Sequence, residues 1–281
     1  MKKTVFALIY AVFLTFNSSV IYANDYPFSS IKQQSIKYTC VHTILKGDTL
    51  DSVVKLYGVK SQDIINENKL KTNILNQNDE LYITIKYPIV TSKGKSMSEF
   101  VPNGWYVMES VKGDLNKDSL PDIALILGKK VPTMKTSGLS TNSYSHPRIF
   151  VIITQNKDKT YKKSVQSNDA VAAYGYKQSF DWYDHMKIEK GTLLFDYSEK
   201  MHSTFRGYQY KFAYQKGGWF FTGLTTSKLV PNEHIAETII DTNFQTGDIV
   251  TKEIVDGKIK STKKTKVKVQ PLVNLMNFAA N

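Results

Sequence analysis

From Phe100 onward the apolar residues stop recurring every third or fourth position and alternate instead, in one short run after another. That change of period constrains the fold more than any other feature of the chain. The runs are Trp105 to Val111, Ile123 to Leu127, Ile149 to Thr154, Thr192 to Tyr197, Tyr208 to Tyr214 and Trp219 to Leu224. Alternation puts every second side chain on one face of a strand, and the turn signals between the runs predict antiparallel neighbours. Gly217-Gly218 is a candidate hairpin turn. Asp256-Gly257, between Ile249 to Val255 and Lys258 to Val269, is a better one because both residues suit a type I′ turn. A little helix is expected near Asn232 to Ile240. With 41% hydrophobic side chains among 281 residues, the chain can bury one large core or two modest ones, so neither disorder nor a repeat fibre fits.

The first residues predict export. Met1-Lys2-Lys3, the apolar run from Val5 to Phe16 and the small-residue stretch ending at Ala23 have the three parts of a secretory signal peptide (1–23), with the cut expected after Ala23. The unbroken apolar run is about a dozen residues, short of the roughly 20 that a spanning helix needs, so no transmembrane segment is expected after cleavage. The expected location is the periplasm or the cell wall. Lys and Arg outnumber Asp and Glu by 37 to 25, a formal +12 that favours contact with anionic polymers. Only Arg148 and Arg206 are arginines, and base-reading proteins lean on the arginine fork, so no nucleic-acid partner is expected. The single cysteine, Cys40, excludes an intramolecular disulfide and a zinc site built on several thiolates.

Between a polar lead-in (24–37) and a punctuated linker (87–99) lies a compact pattern. His42-Thr43-Ile44 reads as a short strand; Leu50, Val53, Val54 and Tyr57 have helical spacing, with Asp48 or Thr49 to cap the start and Gly58 to end it. A second helix, capped by Ser61, carries Ile64, Ile65 and Asn68. A turn from Ile74 to Asp79 leads to a returning strand, Leu81 to Ile85. At these residues the chain resembles the LysM family of carbohydrate-binding modules. His42-Thr43-Ile44-Leu45-Lys46-Gly47-Asp48-Thr49-Leu50 stands where the family has Tyr-x-Val-x-x-Gly-Asp-Thr-Leu, followed by Val53 to Val59, Ile64 to Asn68 and Leu81-x-Ile83. His42 replaces the usual aromatic, and Gln77-Asn78-Asp79 stands where Pro-Gly-Gln is common. The resemblance implies a small βααβ LysM module (38–86); with the alternating runs beyond it read as a mostly antiparallel β domain (100–281), the expected class is α+β. The resemblance also implies a shallow groove for N-acetylglucosamine chains of peptidoglycan or chitin, walled by Gly47, Asp48, Thr49 and Leu50 on one side and Asn73, Ile74 and Leu75 on the other.

In the second region, oxygen side chains fall at alternate positions, Asp114, Asn116 and Asp118, and Asp122 follows. With the carbonyl of Leu120 this spacing wraps oxygens around one point, as calcium requires. The stretch looks like the calcium loop of FG-GAP repeats, but it occurs once, so only the hairpin is implied and not a propeller. Two readings stand: a structural Ca2+ site, or a polar turn in which Asp and Asn bond their own backbone.

Enzyme chemistry finds little footing. The five histidines, His42, His146, His185, His202 and His234, show no metal-binding spacing, and there is no Gly-x-Ser-x-Gly elbow. Asp181, Asp184, His185, Glu189 and Glu199 are the acid-base candidates for glycan cleavage, with Trp182 and Tyr183 as stacking neighbours. In the tail, Lys260, Lys264, Lys266 and Lys268 are expected on one strand face and Ile259, Val267 and Val269 on the other. The sequence therefore points to an exported, non-enzymatic peptidoglycan-binding protein that offers a β-rich domain to an envelope partner. The alternatives are a wall-glycan hydrolase and a periplasmic inhibitor or immunity-type protein.

Overall fold

The computed structural model describes residues 37–129, 147–172, 181–201, 203–231 and 235–279; the expected signal peptide and most of the lead-in lie outside them. The chain runs β1 (Lys37–Thr43), α1 (Leu50–Tyr57), α2 (Ser61–Asn68), β2 (Glu80–Lys86), β3 (Lys93–Gly94), β4 (Trp105–Gly113), β5 (Asp122–Lys129), β6 (Arg148–Gln155) and β7 (Tyr161–Ser167). It continues through β8 (Tyr183–Glu189), β9 (Thr192–Met201), β10 (Thr204–Gln215), β11 (Gly218–Pro231), β12 (Ile235–Asn243), β13 (Asp248–Val255), β14 (Lys258–Lys266) and β15 (Val273–Asn274). These strands make three antiparallel sheets: β1-β2, β3-β7-β6-β5-β4, and β14-β13-β12-β11-β10-β9-β8 with β15 beside β11. No helix of the described residues is long and apolar enough to cross a membrane.

The expected α+β class, a βααβ module followed by a separate β domain, is corrected by this architecture. Strand makes up 55% of the described residues and helix 11%, so the chain is a β-rich fold. Its only described α-helices are eight residues each. The physical reason is a shared core. Cys40, Ile44, Val53, Ile64 and Leu81 from residues 37–86 belong to the same buried cluster as Leu125, Leu127, Val151 and Ile153 from β5 and β6. The rings of Tyr38, Tyr87 and Trp105 meet at that junction, with centroids 4.8 to 6.4 Å apart. The polar stretch after β2 is tied down by β7: Gln166 donates to the Pro88 carbonyl and accepts from the Val90 amide, and Lys163 donates to the Val90 carbonyl.

The central strands of the middle sheet, β5 and β6, are buried on both faces, and this explains their composition. In β5, Ala124 and Ile126 face the eight-stranded sheet while Ile123, Leu125 and Leu127 face the β1-β2 side; in β6, Phe150 and Ile152 oppose Ile149, Val151 and Ile153 in the same way. A strand covered twice has no polar face, so its sequence is a continuous apolar run. The core between the two large sheets is aromatic, with Phe195, Tyr197, Tyr208, Tyr210, Phe212 and Phe221 packed edge to face or tilted and joined by Phe278 from the C-terminal segment.

Hairpin turns follow backbone chemistry. Lys190-Gly191, Lys216-Gly217 and Asp256-Gly257 each hold two consecutive residues at positive φ between directly paired strand ends, the arrangement of a two-residue type I′ turn. The second turn is thus shifted by one residue from the expected Gly217-Gly218, and Gly218 opens β11. Where a short helix was expected, residues from Ile235 form β12. Thr238, Ile239, Ile240 and Thr242 are β-branched and pair with both β11 and β13, and that pairing overrides the helical preference of Ala236 and Glu237.

Candidate functional site

The seven residues expected to wall a glycan groove lie on two segments, 47–50 between β1 and α1 and 73–75 between α2 and β2. Ile44 donates to the Asp79 carbonyl and accepts from the Asn78 amide, both at 2.8 Å, so the loop leaving β1 and the turn entering β2 flank one strand end. Asn78 occupies positive φ there, as its side chain permits. On the first loop Gly47 is exposed, also with positive φ. Thr49 caps α1 through a reciprocal pair of bonds with Ser52, and Gly58 ends the helix in the left-handed conformation. Lys60, not Ser61, occupies the N-cap of α2, without a side-chain bond. The Leu50 side chain is buried in the core. On the second loop Asn73 and Ile74 are exposed, Ile74 at 75%, while half-buried Leu75 packs on the core.

Asp48 is drawn inward by a residue that the motif alone did not single out. Its Oδ2 accepts the Leu45 amide at 2.7 Å and lies 3.2 Å from His42 Nε2; His42 Nδ1 is 3.1 Å from the Tyr57 hydroxyl. With Asp48 on one nitrogen and Tyr57 on the other, one buried ring ties the loop to α1. On the far side Asn68 bonds both the amide and the carbonyl of Tyr82 as well as the Ile64 carbonyl, fastening the end of α2 to β2. These side-chain bonds thus hold the loop at Asp48 to β1 and α1, and the end of α2 to β2.

In the 114–122 loop every candidate carboxylate holds backbone. Asp114 accepts the amides of Lys117, Asp118 and Ser119; Asp118 accepts that of Leu120 and the side-chain amide of Asn116, whose own oxygen accepts the Asp118 amide. Lys117 and Ser119 adopt positive φ inside this tight wrap. Asp122 is fully buried and accepts from Leu115, Asn116 and Gln155, which joins the loop to the end of β6. Burial raises its pKa, offset in part by those three bonds and reinforced by the nearby Asp118 charge. A cation in this loop would share oxygens that already accept N–H bonds. Among the described residues no three His, Cys, Asp or Glu side chains are grouped closely enough to hold a metal ion.

The acid-base candidates are dispersed. Asp181 forms a two-pronged pair with buried Arg148, which also donates to the Ala172 carbonyl at 3.0 Å and lies 5.4 Å from the Tyr183 ring centroid. The Tyr183 hydroxyl donates to Glu109, and burial followed by this bond raises its pKa. His185 sits 3.0 Å from Asp196 on the opposite, open face of the eight-stranded sheet, where Lys187 also reaches Asp196. Asp184 accepts from Ser198, and Glu189 pairs with Lys187. Glu199 lies opposite Arg206 in the β9-β10 register. The structure does not bring these candidates together in one cleft. Burial pushes the Cys40 thiol up to about 12, so it is an inert core residue.

No family model, curated protein or solved structure matches this chain.

Proposed function

We propose that this is an exported, non-enzymatic binding protein of the bacterial cell wall, holding an N-acetylglucosamine-containing glycan of peptidoglycan between residues 47–49 and 73–75 and offering its β-rich part to a further envelope partner. The observation that carries the reading is the bonding of Ile44 to Asn78 and Asp79 at the end of β1, beside two loops of which one has an exposed glycine backbone at Gly47 and the other exposed Asn73 next to an Ile74 side chain left 75% exposed. An acetamido sugar needs amide donors and acceptors together with a small apolar contact for its methyl group, and these loops supply both kinds of group. The likeness of residues 42–58 to the LysM pattern supports the same choice of ligand. Leu50 serves the core in this reading, and Asp48 acts by shaping the loop.

The test is sedimentation of the full mature chain with purified sacculi. Ile74→Asp and Asn73→Ala together should abolish it without shifting the melting temperature, since both residues are exposed. Undiminished sedimentation of that double variant would remove the glycan from these loops. Cell fractionation tests export separately: a chain retained inside the cytoplasm would end the wall reading.

A further inference from the structure

Along the main path of the eight-stranded sheet, β14 to β8, one end is an open edge among the described residues. At one end of the strand order β8 packs against β4 of the middle sheet; at the other, β14 has a strand on one side only. β14 is exposed along its length apart from half-buried Thr265, and its nine residues hold five lysines and no carboxylate. An unpaired edge presents backbone N–H and C=O groups to any extended chain of compatible charge.

The distribution of the lysines says how such a chain would lie. Ile254 pairs with Ile259 and Glu253 with Ser261, so Lys260 is the extra residue of a bulge, and the bulge reverses the alternation beyond it. Ile259, Thr262, Lys264 and Lys266 therefore share the open face, whereas Lys258, Ser261, Lys263 and Thr265 share the face that continues Ile249 toward the core. This differs from the face expected from simple alternation, which set Ile259 against Lys264 and Lys266. A polymer lying on the sheet would meet one face and half of these charges. A strand added in the plane of the sheet meets both.

We propose that the regular stretch of β14, Ser261 to Lys266, takes up an extended acidic peptide segment of a partner protein as an additional strand. Six residues span about 20 Å, enough for three carboxylates opposite Lys263, Lys264 and Lys266. Lys266 already lies 3.5 Å from Asp248, and its ammonium group has donors for a second carboxylate. A second copy of this chain is the wrong occupant: antiparallel pairing of two such stretches sets Lys263 against Lys264, and like charges directly opposite each other destabilise a sheet. The inference takes up the envelope partner of the proposed function and leaves the glycan loops untouched, so its failure and a failure of sacculus sedimentation are separate results.

The experiment is fluorescence anisotropy of the full mature chain with a labelled Glu-Val-Glu-Glu-Val-Thr peptide. Saturable binding is expected, weakened about tenfold or more when alternate peptide nitrogens are methylated, because that removes the donors a ladder needs while keeping every charge. Lys264→Glu should weaken binding severalfold or more with an unchanged melting temperature, the residue being exposed and set opposite Val250. Absence of binding would leave β14 as an edge merely guarded by its lysines and overturn the proposal. Equal binding of the methylated peptide, or of polyglutamate at matched charge, would overturn it in favour of a surface that attracts any polyanion.

Discussion

Replacing Asp122 by alanine tests the account of the 114–122 loop most directly. Its carboxylate, fully buried, is the shared acceptor for the amides of Leu115 and Asn116 at 3.2 Å and of Gln155 at 3.0 Å. An orphaned buried donor costs about 1–3 kcal/mol. Leu115 is wholly buried and takes that penalty in full, while Asn116 and Gln155 are half-exposed and recover some of it from water. Relief from burying a charge returns part of the loss, so a net destabilisation of about 2–4 kcal/mol is expected. For a chain of this size that is a drop in melting temperature of roughly 5–15 °C. The assay is thermal and urea unfolding in chelator, with hydrogen exchange at Leu115, Asn116 and Gln155 to locate the change. Asp122→Asn keeps one acceptor and should fall between alanine and wild type. The pH dependence has a defined sign. A carboxylate whose pKa is raised by folding opposes the fold once ionised, so the stability margin of wild type over Asp122→Asn should widen as pH falls through the raised value toward the ordinary carboxylate range. A loss below about 1 kcal/mol for the alanine variant would refute the reasoning, since three amides cannot lose a buried acceptor so cheaply.

The remaining predictions test other joints of the fold. Calcium at millimolar concentration separates the two readings of the 114–122 loop: a turn held only by its own N–H bonds leaves the melting temperature of chelator-treated protein unchanged, whereas a rise of several degrees identifies a cation site. Gly247→Ala should be strongly destabilising, since φ there is 76° and a β-carbon would fall on the Val267 carbonyl oxygen at the β13-β14 end; a melting temperature within 2 °C of wild type, about half a kcal/mol or less, would be incompatible with that close approach. Asp241→Asn should cost stability at neutral pH and cost nothing in acid. Burial opposes the Asp241 charge, but bonds from Lys211 and Thr225 outweigh it and lower the pKa, so this contribution is present above the ordinary carboxylate range and disappears as pH falls through the lowered value. Parallel pH-stability curves for the two proteins would contradict this.

Several features of the fold were legible because they rest on the backbone preferences of a few adjacent residues. Thr49 and Gly58 bracket α1 through capping and a left-handed terminus, Asp256-Gly257 makes its turn because both residues tolerate positive φ, and the apolar runs of β5 and β6 are strands. The reciprocal bonds of the 114–122 loop are likewise short-range chemistry of Asp and Asn. What covers each face was decided only in three dimensions. Periodicity says that Ile126 and Leu127 point opposite ways, but both directions are apolar, so the sequence alone does not say that one meets Phe150 and the aromatic sheet while the other meets the layer built from β1, β2 and the two helices. For the same reason residues 38–86 read as an independent module, although Tyr38 and Trp105 belong to one cluster. His42 looked like a weakened aromatic position until folding set Asp48 on one nitrogen and Tyr57 on the other. The bulge at Lys260, which moves Ile259 to the face of Lys264, follows from the register imposed by β13. Local dihedral preferences belong to the sequence; pairing register and the identity of the covering layer come from contacts between distant residues, and those exist only once the chain has closed on itself.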